Sequence, residues 1–439
     1  MNNIKSSEHK DSISHHGKSK SMNESLSEIF VVKRSSSAIA AGWNITNIIQ
    51  GIGILGIPFA MLKGSWIGIF MNIFSAVICC STGKMIINCL YERVSVLDVN
   101  IKIHEDYSDI GEKVWPKFGR KFVTLISIIE MFGASTLYVI LLGSSSYTLF
   151  MNIFPTISEQ HWFIICCCLV LALLFIKQMS FISWFSLLAV IGLSGTIISI
   201  IVYCLTKYHD IKLKNIPRIS IQDLPISMGI IVFSYCAHPL MPAIEASMKK
   251  PGQFNKMLNV TFTISLISKL IFGLIPVLIF GRNTLQMITN NFSRNDQAFY
   301  VVTHTFVLIN VFFSMPLVIF ILSQNIDEIL LVNHFHPIFW PHGHLHFAWM
   351  LMSRLIILLT ILLTGLVVPY FALVMSFIGS FTGTCLTFIF PCWFSLVLKR
   401  KELNVKQKLY RVSIIICGIF FGITGMIFAA KEMLKISMS

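Results

Sequence analysis

Four glycines and a proline (Gly42, Gly51, Gly53, Gly56 and Pro58) interrupt one apolar run, and Asn44, Asn47 and Gln50 recur in it at every third position. Residues three apart share a rough helix face. At bilayer depth, backbone freed from a regular helix must be satisfied by protein, water or a ligand. A half-helix beginning near Gly53 would aim unpaired N–H groups and the positive end of its dipole inward, where a carboxylate could dock. The same glycines would equally serve close helix packing. A second interruption lies at Phe233-Ser234-Tyr235-Cys236-Ala237-His238-Pro239-Leu240-Met241-Pro242. Pro239 and Pro242 lack N–H groups and break the helical ladder. Carbonyls near 233–236 would then be free to accept an ammonium or an ion.

Isolated ionisable residues in apolar runs are the next candidates. Glu130 is costly unless it faces a cavity or a partner, which makes it a candidate proton carrier. Its structural alternative is a bond to a nearby hydroxyl such as Ser127 or Ser135. Lys269 is expected to form a structural pair with Glu130 or Glu245, the other course being to snorkel toward the cytosolic end. Glu245, near a span end, reads as a gate or interface residue. His238 lies between two breaks and belongs to the residue type that titrates near neutral pH; a hydrogen-bonded core histidine is the commoner role. His334, His336, His342, His344 and His346 cluster in one loop without acidic or cysteine partners, so an interfacial loop is expected rather than a metal site. No nucleotide loop, catalytic serine motif or HExxH is present, and Gly51-Ile52-Gly53 lacks a third glycine and a preceding strand. Neither an enzyme nor an ATP-driven pump is expected, so ion gradients must supply any work.

The elements that position these residues follow from composition. Of 439 residues, 55% are hydrophobic and 12% charged, with a mean hydropathy of +0.76. Water-soluble domains do not carry so much apolar surface. The formal charge of +14 falls between apolar runs, as topology determinants do, and no basic groove with interleaved aromatics suggests nucleic acid. The 11 cysteines lie mostly inside apolar runs and read as packing residues rather than disulfide partners. Eleven spans are expected at about 20 apolar residues each: 41–62, 66–91, 122–150, 162–176, 181–205, 226–248, 258–280, 299–322, 348–368, 371–398 and 412–430, with ten or twelve as the alternatives because the fourth is short and Pro369 alone divides the ninth from the tenth. The interrupted spans, first and sixth, are five apart, as in two inverted five-helix repeats. Residues 1–37 are Ser-, Lys- and His-rich without an apolar signal region and read as a disordered cytosolic tail, and 38–439 as the transmembrane domain. Lys and Arg in alternate connections, against the dissent of Lys207, Lys212, Lys214 and Arg218, place the N terminus in the cytosol and the C terminus on the far side. The acceptor sequon Asn291-Phe292-Ser293 then faces away from the cytosol.

The string Gly42-Trp43-Asn44-Ile45-Thr46-Asn47-Ile48-Ile49-Gln50-Gly51 with Leu55-Gly56-Ile57-Pro58 resembles the amino acid/auxin permease family, in its vesicular inhibitory amino acid transporter branch. The likeness continues through Cys79-Cys80-Ser81-Thr82-Gly83-Lys84, Ile128-Ile129-Glu130, Pro225 to Tyr235 and Val368-Pro369-Tyr370-Phe371. It covers nearly everything after Ser37. It implies an all-α integral membrane fold, the eleven-helix 5+5 inverted repeat of the amino acid–polyamine–cation superfamily with broken helices one and six. It also implies proton-coupled loading of GABA and glycine into synaptic vesicles, with chloride as a further ion and no bound cofactor. The partners implied are a small neutral amino acid and membrane lipid, with the chain a monomer or weak oligomer. On this resemblance the substrate carboxylate meets Gly51, Gly53, Leu55 and Gly56, with Gln50 beside them. The amine meets carbonyls near Thr46, Asn47, Phe233, Ser234 and Tyr235. Glu130 and His238 are the proton-coupling candidates. Three features depart from the family pattern: Cys236-Ala237-His238-Pro239-Leu240 after the Ser-Tyr pair, Gly53 in place of a bulky residue, and a short tail without an acidic dileucine-type signal. A broader neutral amino acid permease, a non-transporting sensor of the same fold and a channel are the alternative readings.

Overall fold

The computed structural model describes residues 36–94, 99–173, 179–211, 213, 216–292, 296–334 and 346–438. The expected 1–37 tail, up to residue 35, lies outside the described residues, as do the side chains of the histidines in 334–346. Among the described residues, nine helical stretches are long and apolar enough to cross a membrane. The first of them, Ala38–Cys89, has 52 residues. As continuous helix it would measure about 78 Å, more than twice the ~30 Å hydrocarbon core. Ser65 divides it, with φ 52° and ψ −143°. Counting it as two crossings, and adding the shorter apolar helix Glu159–Leu171, yields the eleven spans expected.

The first span begins at Ala38–Gln50, where the Ser37 hydroxyl accepts from the Ala40 N–H. The regular helix stops at Gly51, a tight 3-10 segment occupies Ile52–Gly56, and helix resumes at Ile57. Pro58 sits in the first turn of the resumed helix, where a missing N–H costs nothing. The sixth span obeys the same logic. Helix Leu224–Tyr235 ends, Cys236 and Ala237 leave helical geometry, and His238–Leu240 and Met241–Ser247 follow. Pro239 and Pro242 open the later pieces rather than closing the first. The break therefore precedes the prolines by several residues.

Two departures from a plain helix bundle matter. Between the second and third spans, Tyr91–Val94 pairs antiparallel with Val99–Lys102, Tyr91 opposite Lys102. The sequence reading had only a basic connection there. In the tenth span, helix Phe371–Ile378 widens into two consecutive π-helical segments, Gly379–Gly383 and Cys385–Ile389, before Phe390–Leu398. The last helix, Val405–Met438, lays small residues on this widened stretch. A Cβ on Gly425 would fall 2.0 Å from Ser380 Oγ, and one on Gly422 would fall 3.1 Å from the Ser380 carbonyl. The tenth span also presses on the sixth, since a Cβ on Gly379 would lie 2.1 Å from the Gly229 carbonyl. Small residues let these backbones meet, as in membrane interiors generally.

Candidate functional site

The breaks of the first and sixth spans touch. A Cβ on Gly53 would lie 2.9 Å from Ser234 Cα, so only glycine allows the two chains to approach this closely. Beside this contact lies a cavity of about 90 Å³, the volume of a few water molecules. Asn47, Gly53, Phe233, Ser234 and Glu130 line it. Its apolar wall comes from the third, fifth and eighth spans, through Met131, Tyr138, Ala189, Phe313, Leu317 and Ile321. The lining includes Asn47 and Ile48 before the first break and Leu240 after the sixth. The opposite halves, Ile52–Ile57 and Pro225–Tyr235, are buried throughout.

Other candidate residues fall elsewhere. Thr46 is half-buried and donates to the Gly42 carbonyl at 2.8 Å. Gln50, Leu55 and Gly56 are buried outside the lining, Gly56 against Met375. Gly51 lies under Tyr138, whose hydroxyl would be 3.8 Å from a Cβ there. Tyr235 turns away from the cavity and donates to Asn72 Oδ1 at 2.7 Å. His238 is fully buried, with Nε2 3.0 Å from the Thr82 hydroxyl, and does not line the cavity. The carbonyls expected to receive an amine are already accepting. The Phe233 carbonyl takes the Cys236 N–H and the Tyr235 carbonyl takes the Ala237 N–H, each at 3.0 Å.

The Ser234 carbonyl accepts from Lys269 Nζ at 2.7 Å, and Ser234 Oγ from the same ammonium at 2.8 Å. This corrects the expectation that Lys269 pairs with a carboxylate. Glu245 is bound instead by Lys102 at 2.9 Å and by the Tyr91 hydroxyl. Lys269 is fully buried, so it does not snorkel either. A lysine's spacing along a helix says nothing about which carbonyl a neighbouring break will release.

Glu130 is 2% exposed. Its partner is neither Ser127 nor Ser135, which bond back to the carbonyls of Val123 and Met131. It is the Thr382 hydroxyl, in the first π-helical segment of the tenth span, joined by the Cys236 thiol at the break of the sixth span. Thr382 Oγ1 also lies 3.0 Å from the Ile378 carbonyl. A hydroxyl has one hydrogen and two lone pairs. It can donate to ionised Glu130, or donate to Ile378 and accept from protonated Glu130. The site therefore satisfies the carboxyl in both charge states. Asn47 Oδ1, in the cavity wall, has no hydrogen-bond partner among the described residues. It shares the cavity lining with Glu130.

The eighth span escaped the sequence reading as a wall of the site. Phe313, Ser314 and Leu317 sit in an apolar run no different in type from lipid-facing ones. Asn310, Ser314 and Pro316 are the local irregularities in that helix.

The family described as "Transmembrane amino acid transporter protein" matches residues 34–434. The "Vesicular inhibitory amino acid transporter" of Xenopus tropicalis is 33% identical over 415 residues, covering 92% of this chain and 78% of that protein. Its Homo sapiens counterpart is 32% identical, covering 92% and 77%. The "Vesicular GABA transporter" of Caenorhabditis elegans is 30% identical, covering 91% and 80%. Among solved structures, a sodium-coupled sialic acid symporter superposes with a TM-score of 0.56 at 13% identity, covering 90% of this chain and 88% of that one. A nucleobase–cation symport transporter superposes at 0.50 and 12% identity, covering 91% and 92%. These two share the fold.

Proposed function

This chain belongs to the transmembrane amino acid transporter family, a multi-pass membrane protein, and from that premise we propose that it exchanges small neutral amino acids, GABA and glycine first, for protons. One observation carries the reading: a single cavity is lined by both helix breaks and by a buried carboxylate. Breaks at bilayer depth supply binding groups that a regular helix withholds. A cavity of about 90 Å³ suits a substrate with little or no side chain. Asn47 Oδ1 and Glu130 receive the substrate ammonium from the cytosolic side.

Glu130 is the group whose proton is exchanged. Thr382 gives it a partner in either state, so proton gain or loss strands no hydrogen bond. Substrate ammonium favours ionised Glu130, and a proton neutralises it and weakens the hold. An acidic compartment beyond the membrane would then discharge the substrate and return the proton, which fits the vesicle membrane named for the relatives. Uptake of labelled GABA, glycine and alanine into proteoliposomes, with an imposed proton gradient and potential, tests this. GABA or glycine uptake that collapses with a protonophore is expected. Uptake of other neutral amino acids with GABA excluded would point to a broader permease. Binding without flux would point to a sensor.

A further inference from the structure

Lys269 fits none of the roles that isolated lysines usually play. It is fully buried, and its three N–H donors have three acceptors. These are the Ser234 carbonyl at 2.7 Å, Ser234 Oγ at 2.8 Å, and the Tyr235 ring, whose centroid lies 3.4 Å away. Ser234 Oγ donates its own hydrogen to the Ile231 carbonyl at 2.7 Å, so it is free to accept. Three donors facing three acceptors is the arrangement that an ammonium requires. Phe262 stacks against the Tyr235 ring. The charge is balanced by the carbonyl end of half-helix Leu224–Tyr235, the negative pole of its dipole. Unwound carbonyls and half-helix carbonyl ends are where transporters of this architecture hold a coupling cation.

We propose that Lys269 is a tethered cation that fills the monovalent-cation position at the sixth-span break, so that this chain needs no metal ion there. Ser234 sits between this ammonium and Gly53 of the first span, so the tether fixes the contact between the two breaks. Lys269 is thus a positioning residue, acting on the cavity through Ser234. The inference rests on the proposed transport only for its uptake readout.

The test has a wild-type arm and a variant arm. Uptake by the wild type should be equal in sodium, potassium and choline media; stimulation by sodium would overturn the proposal. Lys269→Ala should lose about ten- to a hundredfold in uptake, the expected cost of an unsatisfied buried carbonyl. Methylammonium or sodium should restore part of it, while Lys269→Met, which fills the space without charge, should stay inactive and unrescued. Lys269→Met uptake at the wild-type level would overturn the proposal. A second readout needs no substrate: in detergent, methylammonium should raise the melting temperature of Lys269→Ala and leave the wild type unmoved. If the wild type carries none of the three amino acids yet this shift is seen, the transport reading fails and the tethered cation stands. Equal shifts in both proteins, or none in either, would overturn the cation site whatever the transport result.

Discussion

Gly53→Ala is a one-carbon test of whether the two broken helices must touch. The new Cβ would stand 2.9 Å from Ser234 Cα and 3.0 Å from Ser234 Cβ, closer than carbon atoms pack. The obstacle is backbone and a side-chain root, so no flexible tip can swing aside. Overpacking of this kind costs about 1–3 kcal/mol. If the breaks separate to make room, that energy is withdrawn from the site, and at 1.4 kcal/mol per factor of ten uptake should fall about five- to a hundredfold. Gly252→Ala is the matched control, because nothing lies within 4 Å of its added carbon. Both variants would be reconstituted, their uptake of labelled GABA and glycine measured, and their melting temperatures recorded in detergent. Gly53→Ala should fall well below Gly252→Ala in uptake. If the two match in both uptake and melting temperature, the contact between breaks is not a constraint and the argument from it collapses.

Further expectations concern the carboxylates. Glu130→Gln should abolish proton-driven accumulation while substrate exchange across the membrane survives; full concentrative uptake by the variant would remove Glu130 from the mechanism. Thr382→Val should change the pH profile of uptake because Glu130 loses its two-state partner, whereas Thr382→Ser should retain it. Identical profiles for Val and the wild type would count against the switch. Lys102→Ala strips Glu245, 1% exposed, of its 2.9 Å ion pair, and should cost about 3 kcal/mol of stability. An unchanged melting temperature would show that the Tyr91 hydroxyl alone suffices.

The breaks were legible because glycine and proline announce themselves locally. Their positions were less so. Pro239 and Pro242 mark where helix restarts, since proline is welcome in a first turn, and the carbonyls freed upstream were already claimed by Cys236, Ala237 and Lys269. Glu130 stood out because a carboxylate in an apolar run is rare. Its partner did not, because Thr382 lies 252 residues away and reaches Glu130 through a widened turn that no periodicity encodes. The hairpin at Tyr91–Lys102 was hidden by a charged composition that reads as loop. The eighth-span wall was hidden for another reason: its few polar residues, Thr303, His304, Asn310 and Ser314 among them, are scattered through an otherwise apolar run and do not announce which face meets the site.

The widened stretch of the tenth span is also a store of chain. An α-helix advances about 100° and 1.5 Å with each residue, and a π-turn holds one residue more than that repeat allows. Passing the surplus residue along the span would rotate what lies beyond it by about 100° and slide it by about 1.5 Å, against the close contacts that Gly379 and Ser380 make with Gly229 and Gly425. Thr382 lies inside the stored length. The hydroxyl that meets Glu130 is thus carried on the one part of the tenth span whose backbone departs from the α-helical repeat.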